Sequence, residues 1–384
     1  MYGAVGIGSM DRVTVAIVGG GLAGLQSARL LQAKGIAAHL VEARERLGGR
    51  ILSADVDGNV SDDGFDLGPS WFWPELHPDM AAIVAELGLG TFPQYDQSDV
   101  LVEREPSVPP QRFPGFRQEP RSMRFAGGTG ALVQALADSL LKETIWLGAR
   151  TTRLSLGEGG VVLSISRAEG SVHSLIADQV IIAVPPRLIE ATIAFAPEMA
   201  LGTRQRWRDT ATWMAPHAKF VAVYDRPFWR EAGLSSMAQS MVGPLAEIHD
   251  ATTFSGVAAL FGFVGVAADQ RAAVGEAVMK RACLDQLGRL FGEPARKARA
   301  TLLLDWTADR LTATDRDRSG GPHPLAQRGA WVSGPWRNYL SLAGSETSAT
   351  APGYLAGALD AGQRAAIDTM ERLAVAGSAT ACNA

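Results

Sequence analysis

The sequence predicts an α/β fold built on a Rossmann-like dinucleotide-binding domain. The apolar run from Val13 to Val18 predicts a strand, and the apolar spacing that begins at Leu22 predicts a helix directly after it. The glycines between and inside them, Gly19, Gly21 and Gly24, have the G-x-G-x-x-G spacing. That spacing permits a tight turn, a close approach of the backbone to a pyrophosphate, and close packing of helix on strand.

A second strand and a second glycine pair support the same fold. The strand predicted from Ala37 to Val41 ends at Glu42, where an acidic side chain can accept hydrogen bonds from ribose hydroxyls. Gly48-Gly49 allows another close backbone approach, and Arg50 supplies a charged fork suited to phosphate oxygens. The alternative, an ordinary loop with a solvated arginine, is disfavoured beside the glycine fingerprint.

The composition excludes several classes of function. The 384 residues allow two domains, and 47% hydrophobic with 20% charged residues is ordinary for a soluble globular protein. A net charge of −4 argues against nucleic acid or an anionic membrane as the main partner. No apolar run reaches the length of a transmembrane helix, and residues 1–12 lack the pattern of a signal peptide, so we expect a cytoplasmic location. Two distant cysteines and scattered histidines predict no metal site.

Residues 61–123 contain one informative turn. Phe65 to Ser70 predicts a short strand entering a sharp turn, followed by the aromatic residues 71–73, which either pack in the core or cover a planar ligand. Met80 to Leu89 predicts a short amphipathic helix. Residues 91–123 show little periodicity and predict an irregular segment.

Regular structure is predicted again from Met123 onward. A glycine turn up to Gly130 precedes a helix, and a Val/Ile-rich strand stops at Pro185-Pro186 because proline cannot donate to a β-ladder. A continuous apolar strand is typical of a parallel sheet, so this segment is expected to return to the first domain. The strands predicted here are 151–154, 161–166 and 175–184.

Residues 213–317 predict a separate block. Lys219 to Val223 reads as a strand, 257–266 and 300–306 as later strands, and 272–291 as a helix. Near the C-terminus a strand leads to Glu346, and a helix beginning at Gly353-Tyr354 could present its positive dipole end to a group that becomes negative.

Together these segments resemble the flavin-containing amine oxidase family, which includes monoamine and polyamine oxidases. The matching motifs are VAIVGGGLAGL, VEARERLGGRI, DLGPSW, FAGGTGAL, VIIAVPP, the 219–229 segment, and AGSETS followed by GYLAGALDAGQRAA. They span nearly the whole chain in the family's order.

The resemblance implies an FAD-binding domain of the two-dinucleotide-binding type, interleaved with an α+β substrate domain. The expected FAD-binding domain is 11–80, 124–212 and 318–375, the substrate domain 81–123 and 213–317, and the flexible tails 1–10 and 376–384.

The implied reaction is hydride transfer from an amine α-carbon to flavin N5, giving an imine, with O2 reoxidation to H2O2. The resemblance implies that Glu42 binds the adenosine ribose, that Gly68 to Trp71 line the isoalloxazine, and that Lys219 holds a water against flavin N5. The residues expected to bind the cofactor are Gly19, Gly21, Ala23, Gly24, Glu42, Ala43, Arg44, Gly49, Arg50, Gly68, Pro69, Ser70, Trp71, Ser345, Glu346, Gly353, Tyr354 and Leu355.

The chain departs from the family pattern at the substrate pocket. Related enzymes orient the amine between two aromatic rings, and Tyr354 matches the second of these. At the first, Pro322 stands where monoamine oxidases carry the flavin-linked cysteine, and His323 stands where they carry a tyrosine. Noncovalent FAD is therefore expected, and His323 is either a planar pocket wall or a loop histidine.

Two alternatives to amine oxidation remain at this point. One is an FAD-dependent C–C desaturase of the protoporphyrinogen-oxidase type, and the other is a non-catalytic binding protein of the same fold. The expected partners are a small-molecule amine and O2, with neither nucleic acid nor membrane, in a chain able to form a homo-oligomer.

Overall fold

The computed structural model describes residues 11–381 and confirms the α/β fold. The helices among these residues are α1 (Leu22–Ala33), α2 (Pro78–Glu86), α3 (Gly130–Asp138), α4 (Pro186–Thr192), α5 (Leu201–Asp209), α6 (Phe228–Glu231), α7 (Ala268–Val274), α8 (Glu276–Phe291) and α9 (Leu355–Ala381). The strands are β1 (Asp11–Val18), β2 (Ala38–Val41), β3 (Ser53–Ala54), β4 (Phe65–Asp66), β5 (Thr91–Pro93), β6 (Asp99–Glu103), β7 (Gln111–Phe113), β8 (Met123–Phe125), β9 (Ile145–Trp146), β10 (Ala149–Gly157), β11 (Gly160–Arg167), β12 (Val172–Ile182), β13 (Ala194–Ala196), β14 (Ala218–Tyr224), β15 (Leu234–Ser240), β16 (Leu245–Asp250), β17 (Ala258–Val264), β18 (Ala300–Asp305) and β19 (Leu340–Leu342).

The chain forms two compact units. The first takes the described residues up to Gly49, Leu136–Ala211 and those from His323 onward, and the second takes Arg50–Ala135 and Thr212–Pro322. From the sequence, residues 50–80, 124–135, 212 and 318–322 are expected in the first unit, whereas the structure places them in the second. Two of these segments are tied together inside the second unit, because Asp66 on β4 accepts hydrogen bonds from Ser53 Oγ (2.7 Å) and from the Thr129 backbone N–H (2.8 Å).

The first unit is organised around a mixed sheet in the order β13-β10-β11-β12-β1-β2-β9, with β19 also paired to β12. β1 pairs in parallel with β2 and with β12, and its residues Val15 to Ile17 are fully buried. The predicted return of the Val/Ile-rich strand to the first domain is confirmed, because Ile182 lies in register with Val18. Parallel neighbours on both sides place the carboxyl end of β1 at the ligand-binding edge of the sheet.

The second unit contains a seven-stranded sheet in the order β18-β14-β17-β16-β15-β6-β7. The prediction of an irregular segment over 91–123 was wrong, because β6 and β7 form one edge of this sheet and β5 pairs with β8. β6 pairs in parallel with β15, more than 130 positions along the chain. Periodicity within 91–123 could not show a ladder whose partner strand is so remote.

Two helix predictions also need correction. The single helix expected over 272–291 is divided into α7 and α8 at Gly275, whose φ of +78° lies outside the helical range. α9 continues to Ala381, where a tail was expected from 376 onward, because its alanine-rich end favours helix. The tail residues 1–10 and 382–384 lie outside the described part of the chain. Among residues 11–381, no helix combines the length and apolarity needed to cross a bilayer.

Candidate active site

The first unit contains the glycine turn at the carboxyl end of β1. Gly19 donates its N–H to the Val41 carbonyl oxygen on β2 at 2.9 Å, which holds the turn beside the parallel sheet. A Cβ on Gly24 would lie only 2.0 Å from the Gly19 carbonyl oxygen, so helix α1 approaches the turn as closely as only glycine permits. A Cβ on Gly21 would meet no atom within 4 Å, so this backbone faces open space.

The start of helix α1 is suited to an anion. Its N-cap, Gly21, provides no side-chain cap, and the first turn carries no acidic residue. The second glycine pair lies beside this helix start. Gly48 donates its N–H to the Gly20 carbonyl oxygen at 2.8 Å, and a Cβ on Gly49 would lie 3.5 Å from Gly21 Cα. Backbone N–H groups at a helix start, flanked by residues without side chains, can accept phosphate oxygens.

Glu42 is held at the carboxyl end of β2. Its side chain is buried, and its two carboxylate oxygens accept from the backbone N–H groups of Gly20 (2.6 Å) and Arg44 (2.8 Å). Each carboxylate oxygen has a second lone pair, so this arrangement fixes the side chain and still leaves it able to accept from a diol. The Arg44 guanidinium is 3.9 Å from the same carboxylate.

The C-terminal motif forms a tight turn before helix α9. Glu346 is fully buried and accepts a hydrogen bond from Ser345 Oγ at 3.1 Å. Gly353 donates its N–H to the Ser345 carbonyl oxygen at 3.2 Å, and Leu355 is the first residue of the helix. The turn is closed by Ser348, whose hydroxyl donates to Asp360 one helical turn inside α9.

His323 and Tyr354 pack directly against each other in the first unit. Their ring centroids are 4.7 Å apart and the ring planes are inclined by 35°. His323 Nδ1 lies 3.0 Å from the Pro324 carbonyl oxygen, which can only accept, so Nδ1 carries the hydrogen. A group held between two rings needs about 7 Å between them, because each face-to-atom contact takes about 3.5 Å. The two rings thus form one continuous wall.

Lys219 is a fully buried lysine in the second unit. It lies on the interior strand β14, opposite Phe263 on β17 and Leu304 on β18, and it is 0% exposed. Its Nζ donates to Ser70 Oγ at 2.6 Å and to the Gly68 carbonyl oxygen at 3.1 Å, and it lies 4.0 Å from the Phe261 ring centroid. A buried charge is costly unless it is hydrogen-bonded, and these contacts provide that compensation.

The turn after β4 provides the hydrogen-bond acceptors for this lysine. Gly68 must lack a side chain, since a Cβ there would lie 1.9 Å from the Arg50 carbonyl oxygen. The neighbouring carbonyls are also bonded: Leu67 accepts from Trp306 Nε1 at 3.0 Å and Pro69 from Thr129 Oγ1 at 3.2 Å. Buried side-chain donors therefore hold three successive carbonyl oxygens, which makes the Ser70 hydroxyl a rigidly placed group.

Trp71 and Arg50 are placed in the second unit by polar contacts of their own. Trp71 Nε1 donates to Gln94 Oε1 at 2.8 Å, and its ring lies edge-on to His249 at a centroid distance of 4.8 Å. Phe261 completes this aromatic group at 5.5 Å from Trp71. Arg50 Nη1 donates to the Trp213 carbonyl oxygen at 2.7 Å.

Burial lowers the pKa of Lys219 from 10.5 to about 7. Asp66 acts in the opposite direction by favouring the ammonium, and Arg124 disfavours it further. Both partners are themselves buried, and Arg124 donates to the carbonyl oxygens of Thr252 (2.9 Å) and Ala251 (3.2 Å). Near neutral pH this lysine can therefore give up and regain a proton readily.

The lowered pKa predicts a defined pH dependence of stability. Between about pH 7 and pH 10.5 the unfolded chain binds a proton at Lys219 that the folded protein does not, so the free energy of unfolding rises with pH through this window. Across this window the free energy of unfolding of wild type should rise by a few kcal/mol relative to that of a Lys219→Met variant, because each unit of pKa shift corresponds to about 1.4 kcal/mol. Urea unfolding of both proteins across the window measures this, and a difference that does not change with pH would contradict it.

The expected site residues fall into two sets. In the first unit the structure holds Gly19, Gly21, Ala23, Gly24, Glu42, Ala43, Arg44, Gly49, His323, Ser345, Glu346, Gly353, Tyr354 and Leu355, and in the second Arg50, Gly68, Pro69, Ser70, Trp71 and Lys219. Sequence reasoning missed Asp66 and Trp306, which support Lys219 and its turn, and Arg124, which disfavours the ammonium. Asp66 is the first residue of the DLGPSW motif and Arg124 directly precedes FAGGTGAL, and that was the available signal.

The chain is similar to several known proteins. Residues 111–369 match the family described as flavin containing amine oxidoreductase, and residues 17–87 match the NAD(P)-binding Rossmann-like domain. A probable flavin-containing monoamine oxidase A from Dictyostelium discoideum is 24% identical over 94% of this chain and 98% of its own length. An L-amino acid dehydrogenase from Synechocystis sp. is 29% identical over 65% of this chain and 51% of its own length.

Solved structures share the fold. Wild-type putrescine oxidase bound to putrescine superposes with a TM-score of 0.76 at 20% identity, covering 94% of this chain and 100% of that chain. Cyclohexylamine oxidase from Brevibacterium oxydans gives the same TM-score and identity, covering 94% of this chain and 99% of that one.

Proposed function

The chain belongs to the flavin-containing amine oxidoreductase family, and on that premise we propose that it oxidises a small amine to an imine with O2 as the final electron acceptor. FAD is the cofactor. When bound, FAD supplies the hydride acceptor at N5 and passes the electrons on to O2. The single observation that carries the proposal is the buried Lys219, whose ammonium is hydrogen-bonded to Gly68 and Ser70 of the DLGPSW turn.

The first unit fits the nucleotide part of FAD. The open face of Gly21 and the uncapped start of α1 suit a pyrophosphate, and the carboxylate of Glu42 suits a ribose diol. Glu346 and the start of α9 are proposed to act on the remaining part of the cofactor, where the helix dipole favours negative charge.

Noncovalent attachment is part of the proposal. Pro322 replaces the cysteine that links flavin in monoamine oxidases, and proline offers no nucleophile. Cys283 is fully buried in the hydrophobic core of the second unit, where burial raises the pKa of its thiol to about 12. A thiol with so high a pKa is a poor nucleophile at neutral pH.

The substrate wall differs from that of the relatives. Because His323 and Tyr354 are in direct contact, we propose that the amine packs against their joint surface and is not held between two rings. Tyr354 keeps 40% of its surface exposed, so the wall is accessible in the unit that carries it. A neutral amine is required for hydride loss, and a flat, partly aromatic wall aligns it without a charge.

The proposal is tested with the purified protein and a panel of amines. The protein should be yellow, and its flavin absorbance should bleach anaerobically with at least one primary amine and return on admission of air, with release of peroxide. Acid precipitation should leave the flavin in the supernatant. Yellow protein that no amine bleaches would overturn amine oxidation, and flavin that remains in the pellet would overturn noncovalent attachment.

Amine oxidation is favoured over the two alternatives by the family assignment and by the relatives that are named for amine substrates. A C–C desaturase would be supported by bleaching with a polyunsaturated or porphyrinogen substrate and not with amines. A non-catalytic binding protein would be supported by failure to retain FAD.

A cytoplasmic location and a homo-oligomeric state stay predictions.

A further inference from the structure

The Lys219 ammonium has three near partners, and the Phe263 ring lies farther away, at 5.6 Å from Nζ. It donates to Ser70 Oγ and to the Gly68 carbonyl oxygen, and the Phe261 ring lies against it at 4.0 Å. An ammonium has three hydrogens, so these three acceptors account for all of them. Because the side chain is 0% exposed, Lys219 has no face of its own open to a reactant within the second unit.

Ser70 differs from the other two partners in its chemistry. A carbonyl oxygen and an aromatic face only accept, whereas a hydroxyl accepts one hydrogen and donates its own. In the part of the chain that the structure describes, the Ser70 hydroxyl donates to no acceptor, and the residue keeps 6% of its surface exposed. Ser70 is therefore the one contact that can transmit a proton from Lys219 to another molecule.

We propose that Lys219 acts through Ser70, whose hydroxyl relays a proton from the ammonium to the oxygen that is being reduced. This rests on the proposed function, which supplies O2 and its electrons. In one transfer the Ser70 O–H bond breaks as its proton passes to the acceptor oxygen, and Oγ takes a proton from Nζ. Lys219 is left as a neutral amine, no electron moves in this step, and the ammonium is restored from solvent through the same hydroxyl.

The surroundings of Lys219 suit repeated proton transfer. Asp66, four residues before Ser70, favours the ammonium, and Arg124 opposes it. His249, on β16, stacks on Phe261 at a centroid distance of 5.3 Å. His217, which directly precedes β14, faces Phe263 at a centroid distance of 6.5 Å. With opposing charges on either side, neither protonation state is strongly trapped.

The experiment compares Ser70→Ala, Ser70→Thr, Lys219→Met and the Ser70→Ala/Lys219→Met double variant. Each holoenzyme is reduced with dithionite in the absence of air, so that no amine is needed, and is mixed with O2 while flavin absorbance is followed. Ser70→Ala should slow the O2 reaction by about 100-fold, as is expected of Lys219→Met, and the double variant should be no slower than either single one. Ser70→Thr keeps the hydroxyl and should react within a few fold of wild type.

A second measurement does not depend on flavin. In the protein stripped of FAD, Ser70→Ala removes a hydrogen bond to the ammonium, so the pH at which stability begins to rise should move below that of wild type, and Ser70→Thr should restore it. Relay through Ser70 is overturned if Ser70→Ala reacts with O2 at the wild-type rate while Lys219→Met is slow. If both variants react normally, the role of Lys219 in the proposed function fails as well. Failure of every amine to bleach the flavin would overturn only amine oxidation.

Discussion

Replacing Lys219 by methionine is expected to slow the reaction of the reduced enzyme with O2 by about 100-fold, the lower end of what a positioned proton donor contributes. Methionine has a similar length and no charge, so it removes the ammonium from the buried position on β14 while preserving much of the packing against Phe261. FAD content should change little. The measurement is stopped-flow mixing of the anaerobically reduced protein with O2.

Lys280→Met is the matched control. Lys280 lies on helix α8 of the same unit, is partly exposed, and pairs with Glu276 at 2.6 Å. Loss of such a surface pair costs little, so this variant should react with O2 at the wild-type rate. An unchanged O2 reaction in Lys219→Met would remove this lysine from the mechanism, whatever its burial.

Replacing Gly24 by alanine is expected to weaken FAD binding by at least tenfold. The new Cβ would lie 2.0 Å from the Gly19 carbonyl oxygen and 3.3 Å from Ala183 Cβ, so helix α1 must move away from the turn. Overpacking of this kind costs about 1–3 kcal/mol. About 1.4 kcal/mol corresponds to tenfold in affinity, and the displaced helix start is the proposed phosphate site. Titration of FAD into the stripped protein measures the loss.

Gly202→Ala provides the control for this substitution. Gly202 lies in the first turn of helix α5 in the same unit, and a Cβ there would meet no atom within 4 Å. Alanine favours helix over glycine, so FAD affinity should be unchanged and stability equal or slightly higher. Wild-type FAD affinity in Gly24→Ala would show that the glycine turn does not hold the pyrophosphate.

Local patterns in the sequence were sufficient to predict the Rossmann-like part of the candidate site. β1, the glycine turn and helix α1 follow one another within about twenty residues, and their periodicity and steric demands are readable without any remote contact. The end of β2 at Glu42 was predicted for the same reason. Proline stopped the strand before Pro185-Pro186, as its missing N–H requires.

Remote pairing decided what the sequence could not show. The strands β6 and β15 were not predicted, because each is short and gains its stability from the other across more than 130 residues. The same holds for Asp66, whose support of the Lys219 turn depends on Thr129, 63 positions away.

The sequence by itself determined the fold class, the family resemblance and the identity of the candidate lysine, because motif spacing and residue chemistry are properties of neighbouring positions. Only the tertiary structure decided that Lys219 is enclosed by Ser70, Gly68 and Phe261, and that His323 touches Tyr354. Burial sets the dielectric environment and therefore the pKa of the ammonium. That environment is created by strands that meet only when the chain has folded.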